Sequence, residues 1–95
     1  MNPLNPPGEA KKLPQVYRVL GYLIFFWSRE ENEPVHIHVC KGKPHKDATK
    51  IWMEKTPRLE HNKSQIPKKD LNRIMQWLAV NRAIVIEAWH DYFED

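Results

Sequence analysis

His36 and His38 stand one residue apart in the run Pro34-Val35-His36-Ile37-His38-Val39-Cys40. Alternate residues of a β-strand share a face, so an extended chain projects both imidazoles together, opposite Val35, Ile37 and Val39. Strand residues two apart lie ~6.6 Å between Cα atoms, a span two rings can close on one divalent ion such as zinc. Histidine also exchanges protons near neutral pH. With Lys41, Lys43 and Lys46 beside the pair, one ring can serve as base and the other as acid on an RNA phosphodiester. The plain alternative is the polar face of an ordinary strand, with no chemistry.

A metal centre needs at least one further ligand. Cys40 shares the face but lies ~13 Å from His36, too far for one ion without a bend. It reads as a small half-buried residue rather than a nucleophile. His90, Glu87 and His45 remain, and His90 and Glu87, three apart on a helix, share a face. The chain has no Cys-x-x-Cys or His-Glu-x-x-His motif, no Ser/His/Asp spacing and no glycine-rich phosphate loop.

Charge is unevenly spread behind a net +3. Residues 1–40 balance to zero. Residues 41–73 hold ten Lys/Arg against Asp47, Glu54, Glu60 and Asp70, and residues 74–95 hold Arg82 against Glu87, Asp91, Glu94 and Asp95. A basic middle facing an acidic tail suggests an anionic partner or association of two copies of the chain, against a background reading of a merely solvated surface. Lys41, Lys43, Lys46 and Lys50, joined to Lys68, Lys69 and Arg73, offer phosphate or carboxylate contacts. Only Trp52 is interleaved with them, which gives little support to base stacking.

These groups need elements to hold them. Residues 1–14, with Pro3, Pro6, Pro7, Gly8 and Pro14, read as an irregular arm, leaving 15–95 as one α+β domain. Val16 to Leu20 and Tyr22 to Trp27 form two strands joined tightly at Gly21. The second is apolar on both alternating faces and so belongs in the middle of a sheet, covered on both sides. Val35 to Lys41 is a third strand, closed by Gly42-Lys43-Pro44, and Lys50 to Glu54 a fourth. Thr56 to Gln65 is polar apart from Leu59 and reads as an extended edge or loop.

The period then changes. Leu71, Ile74, Met75 and Leu78 follow helical spacing, with Pro67 suited to the first turn and Asp70 to the positive helix end. Ile84, Val85, Ala88, Trp89 and Tyr92 form a second periodic set, with Asn81 at the join unless one bent helix runs through. Trp89 and Phe93 are expected to close the core against the sheet. The result is an antiparallel sheet of about four strands packed with two C-terminal helices. No apolar run approaches the ~20 residues that span a bilayer, no secretory signal is visible, and a single cysteine fits a reducing cytoplasm.

The segments Val16–Ser28, Glu33-Pro34-Val35-His36-Ile37-His38-Val39, Lys68-Lys69-Asp70-Leu71 and Glu87-Ala88-Trp89-His90-Asp91-Tyr92-Phe93 together resemble the bacterial domain of unknown function 4160 family. The resemblance covers residues 14–94. Two departures are a longer proline-rich arm and Pro67 where the family often has a serine. The resemblance implies a small component of a toxin–antitoxin-type module. Its site positions would be His36, His38 and His90, with Glu87 in support. The expected function is binding or acting on RNA or the translation machinery through a histidine-rich, basic surface. The alternatives are a non-catalytic domain that binds a small acidic cognate protein, or a metal-dependent enzyme centred on the histidine pair.

Overall fold

Five short strands and two helices follow one another in a computed structural model that describes residues 15–27 and 32–93. They are β1 (Gln15–Val19), β2 (Tyr22–Phe25), β3 (His36–Lys41), β4 (Thr49–Trp52), β5 (Arg58–His61), α1 (Lys68–Val80) and α2 (Arg82–Phe93). Each strand pairs antiparallel with the next, so sheet order equals chain order. The expected arm, residues 1–14, lies outside the described residues, as do residues 28–31 of the β2–β3 connection.

Local chemistry accounts for the element ends. The β1–β2 turn places Leu20 (φ 55°) and Gly21 (φ 82°) at positive φ between the paired Val19 and Tyr22. Both central residues of a tight hairpin need that region, which glycine enters freely and leucine only with strain. α1 begins directly after Pro67, whose carbonyl accepts from Leu71 N at 2.8 Å. Asn81 ends it, because both its backbone N–H and its side-chain amide donate to Trp77 O at 2.9 Å. Two helices therefore form, not one bent one. Among the described residues no helix is long and apolar enough to cross a membrane.

The fifth strand falls where the sequence shows only a polar extended stretch. Its anchor is a hydrogen-bond knot just beyond it. Asn62 Oδ1 accepts from Thr49 Oγ1 (2.6 Å) and Ile66 N (3.1 Å), while its Nδ2 donates to Ile66 O (3.0 Å). Ser64 Oγ donates to Asp47 O at 3.1 Å, tying the β5–α1 loop to the β3–β4 turn.

The helices lie on one face of the sheet. Tyr22, Ile24, Ile37, Val39 and Ile51 point to that face and pack with Ile74, Leu78, Val85 and Trp89 in one core. β2 is buried along its whole length, as its two-faced apolar pattern requires. Its other side chains, Leu23 and Phe25, form a second cluster with Cys40 and Ala48, against which Trp27 packs. Ile84 departs from the expected helical core. It is half exposed, because α2 turns Val85 and Trp89 inward instead.

Candidate functional site

His36 and His38 do share a face, and that face is not a wet edge. Register sets His38 beside Phe25 on one side and Lys50 on the other, with His36 opposite Trp52. His36 is 0% exposed and His38 7%. The His36 ring centroid lies 5.1 Å from His38, 5.3 Å from Trp52 and 5.2 Å from Trp89. His38 lies 5.5 Å from Phe25 and 6.4 Å from Trp27. Aromatic rings, which bury large areas and favour tilted or edge contacts, have enclosed the pair. His36 Nδ1 donates to Pro34 O at 2.9 Å. In the neutral ring that bond fixes the proton on Nδ1 and leaves Nε2 as the basic nitrogen.

His90 does not join this pair. The residue of α2 that reaches His36 is Trp89. His90, one residue on and about 100° further round the helix, is exposed, as is Glu87. The expected convergence of His36, His38 and His90 therefore gives way to a histidine pair stacked against tryptophans. Cys40 is fully buried, not half-buried, and its thiol donates to Lys43 O at 3.3 Å. Burial pushes that thiol up from its ordinary value. His45 is exposed and accepts from Asp47 N. Among the described residues no three His, Cys, Asp or Glu side chains are grouped so as to hold a metal ion.

A polar collar that spacing alone does not reveal rims the pair. Glu33 Oε1 meets Lys50 Nζ at 2.8 Å and lies 3.8 Å from His36 Nδ1. The Lys50 ammonium also sits 4.4 Å over the Trp52 ring, whose Nε1–H donates to Glu60 at 2.6 Å. Arg58 approaches the same ring at 6.0 Å and forms a two-pronged contact with Glu54. His61, opposite Lys50 on β5, is held below its ordinary value by burial and then by the charge of Lys63.

The remaining lysines gather elsewhere. Lys41 pairs with Tyr22, on the helix-side face of the sheet, opposite to the histidines. The β3–β4 turn, the β5–α1 loop and the start of α1 meet at this end through the Ser64 and Asn62 bonds. They bring together Lys41, Lys43, Lys46, Lys68 and Lys69, all exposed. Lys63, which sequence spacing does not single out, belongs with them, whereas Lys50 belongs to the histidine collar. The acids at this end are Asp47 and Asp70, and Asp70 accepts from Tyr22 OH at 2.8 Å. Burial, and then the Asp70 carboxylate, raises the Tyr22 hydroxyl above its ordinary value of 10.0.

The class of protein is thus an α+β domain with two distinct polar regions. One is a histidine–tryptophan cluster at the beginning of β3, and the other a lysine-rich end where β3 finishes. A family profile described as a domain of unknown function (DUF4160) matches residues 21–90, and the chain belongs to that family. The matched span includes Glu33 to Val39 and ends at His90, within the second histidine motif. Neither a curated protein nor a solved structure matches the chain.

Proposed function

We propose that this domain is a non-catalytic binding component of a bacterial, cytoplasmic toxin–antitoxin-type module, docking a small acidic cognate protein on its lysine-rich end. The observation that carries this reading is the contrast in exposure. Six lysines stand in solvent at one end, while His36 and His38 are packed among aromatic rings where no macromolecular substrate touches them. Clustered cations steer and hold an anionic partner, and their effect falls with ionic strength. An RNA target is less well supported, because base stacking needs open aromatic faces among the cations. At the lysine end the aromatic ring is Tyr22, which is buried.

The test compares two labelled probes by fluorescence anisotropy at low salt: a capped decaglutamate peptide and decauridylate RNA. Preferential, salt-sensitive binding of the peptide, weakened about tenfold by Lys43→Glu/Lys46→Glu/Lys63→Glu, is the expected result. Tighter binding of the RNA, or binding unaffected by the triple variant, overturns the reading.

A further inference from the structure

The β1–β2 turn carries a leucine where its backbone favours another residue. Leu20 (φ 55°) and Gly21 (φ 82°) are its central pair, both at positive φ, the pattern of a type I′ hairpin turn. Asn-Gly is the pair that suits such a turn, because asparagine tolerates the left-handed region and leucine is crowded there. Burial does not compensate, since Leu20 is 51% exposed. The turn stands at the lysine-rich end. Tyr22, which closes it, pairs with Lys41, so Leu20 and Gly21 lie beside the Gly42-Lys43 step that follows β3. Among the described residues one other non-glycine residue has positive φ, Gln65 (φ 56°). It is exposed at this same end, where it lines one cavity with Tyr22 and Lys41. Strained backbone gathers at working surfaces, where it is kept for what it displays and not for stability.

We propose that Leu20 is the apolar contact of the partner-binding end, held out on a strained turn to enter an apolar socket on the acidic cognate protein. The inference rests on the binding reading above. Two observations select the occupant. Lys41, Lys43, Lys46 and Lys63 stand exposed at this end against Asp47 and Asp70, so the surface is cationic and takes an acidic partner. Leu20 is also the one large apolar residue exposed there among the described residues. The others, Leu59, Val80 and Ile84, belong to β5 and the α1–α2 junction. A surface that seats on a membrane sets several apolar or aromatic side chains beside its cations. One leucine among lysines fits instead a single socket with an acidic rim, the apolar-centre, polar-edge pattern of protein interfaces. Charge draws the partner in, and the leucine supplies the fixed point that charge alone lacks.

The experiment titrates the full chain with two labelled peptides, capped decaglutamate and a version whose central pair of glutamates is replaced by leucines. Affinity is read by anisotropy and stability by urea denaturation. The wild type is expected to bind the leucine-bearing peptide about fivefold tighter, despite its lower charge. Leu20→Asn should erase that preference, leave decaglutamate binding within about twofold, and raise the urea midpoint by about 0.5 M as the turn relaxes. Leu20→Met should keep the preference, as should Val80→Ala, which trims an exposed apolar residue at the far end of α1. Equal affinities for the two peptides, or a preference that survives Leu20→Asn, overturn the apolar contact while leaving the basic end as a binding surface. A Leu20→Asn variant less stable than the wild type overturns it as well, since the leucine then serves the fold. Leu20-dependent cosedimentation with phosphatidylglycerol vesicles, without the peptide preference, assigns the end to a membrane and overturns the protein partner. No binding of either peptide by the wild type overturns both readings.

Discussion

Replacing His36 by alanine is expected to destabilise the domain far more than replacing the exposed His90. The His36 side chain is 0% exposed, and three ring contacts and one hydrogen bond end with it. Truncating a buried aromatic residue usually costs about 3–5 kcal/mol. A count from the parts agrees: ring pairs contribute about 0.5–1.5 kcal/mol each and the bond to Pro34 O about 1 kcal/mol. A loss near 3 kcal/mol follows, a large share of the roughly 5–10 kcal/mol that holds a domain of this size. With a urea slope of about 1.5 kcal/mol per molar, the unfolding midpoint falls by about 2 M. His36→Phe restores an aromatic ring but overfills a fully buried site and gives up the bond to Pro34 O, so only part of the stability returns. His90→Ala, at an exposed position, moves the midpoint by less than about 0.3 M, since surface changes stay within about 0.5 kcal/mol. The assay is equilibrium urea denaturation followed by tryptophan fluorescence and circular dichroism. A loss below about 1 kcal/mol for His36→Ala, or equal losses for His36→Ala and His90→Ala, refutes the packing argument.

Asn62→Ala removes three hydrogen bonds and takes from the buried Thr49 hydroxyl the acceptor of its proton, though that hydroxyl still accepts from Ser64 N at 3.3 Å, so unfolding stability should drop by about 2 kcal/mol. Hydrogen exchange should then speed up in β5 before the β2–β3 pair. Tyr22 gives a pH dependence of definite sign. Its hydroxyl is raised in the folded state, first by burial and then by Asp70, so the unfolded chain loses this proton first. The contribution is fully present below pH 10.0 and is lost as pH climbs from there toward the folded value. Ultraviolet titration should show one tyrosine ionising late, and denaturation at rising alkaline pH should show a loss that Tyr22→Phe diminishes. A stability that rises above pH 10.0 contradicts the assignment.

Periodicity carried most of the architecture and part of the site. The alternation in β3 put His36 and His38 together because the strand period is two whatever surrounds it. That period is silent on whether the face is covered. The cover was written in Phe25 and Trp52, whose register on the neighbouring strands aims them at the same face, with Trp27 packed against Phe25 and His38. Reading it needs the pairing, which one strand's pattern does not contain. β5 was half legible for a different reason. Arg58, Leu59 and Glu60 are exposed, so no burial rhythm marks the strand, and the Asn62 and Ser64 bonds that seat it reach 13 to 17 residues back. His90 was misplaced by a single helical step. Trp89 and His90 are adjacent in sequence, and only the packing of α2 decides which one turns inward.

The two polar regions cannot serve one small site. β3 carries His36 at its beginning and Lys41 at its end, five residues on, which is about 17 Å of extended chain. The odd spacing sends the two side chains to opposite faces of the sheet, with Lys41 beside Tyr22 and His36 beside Trp52. A phosphodiester held by Lys41 is therefore out of reach of either imidazole. The cation that does accompany the histidines is Lys50, and Glu33 already neutralises it at 2.8 Å. The histidine-rich, basic surface expected from the sequence thus separates into a packed cluster and an exposed lysine-rich end. What links them is the rigidity of β3, whose pairing on both sides holds Lys41 in place while the aromatic cluster fixes the start of the same strand. Loosening the cluster should then weaken partner binding only as far as it unfolds the sheet, and any His36 variant that stays folded should leave the lysine end competent.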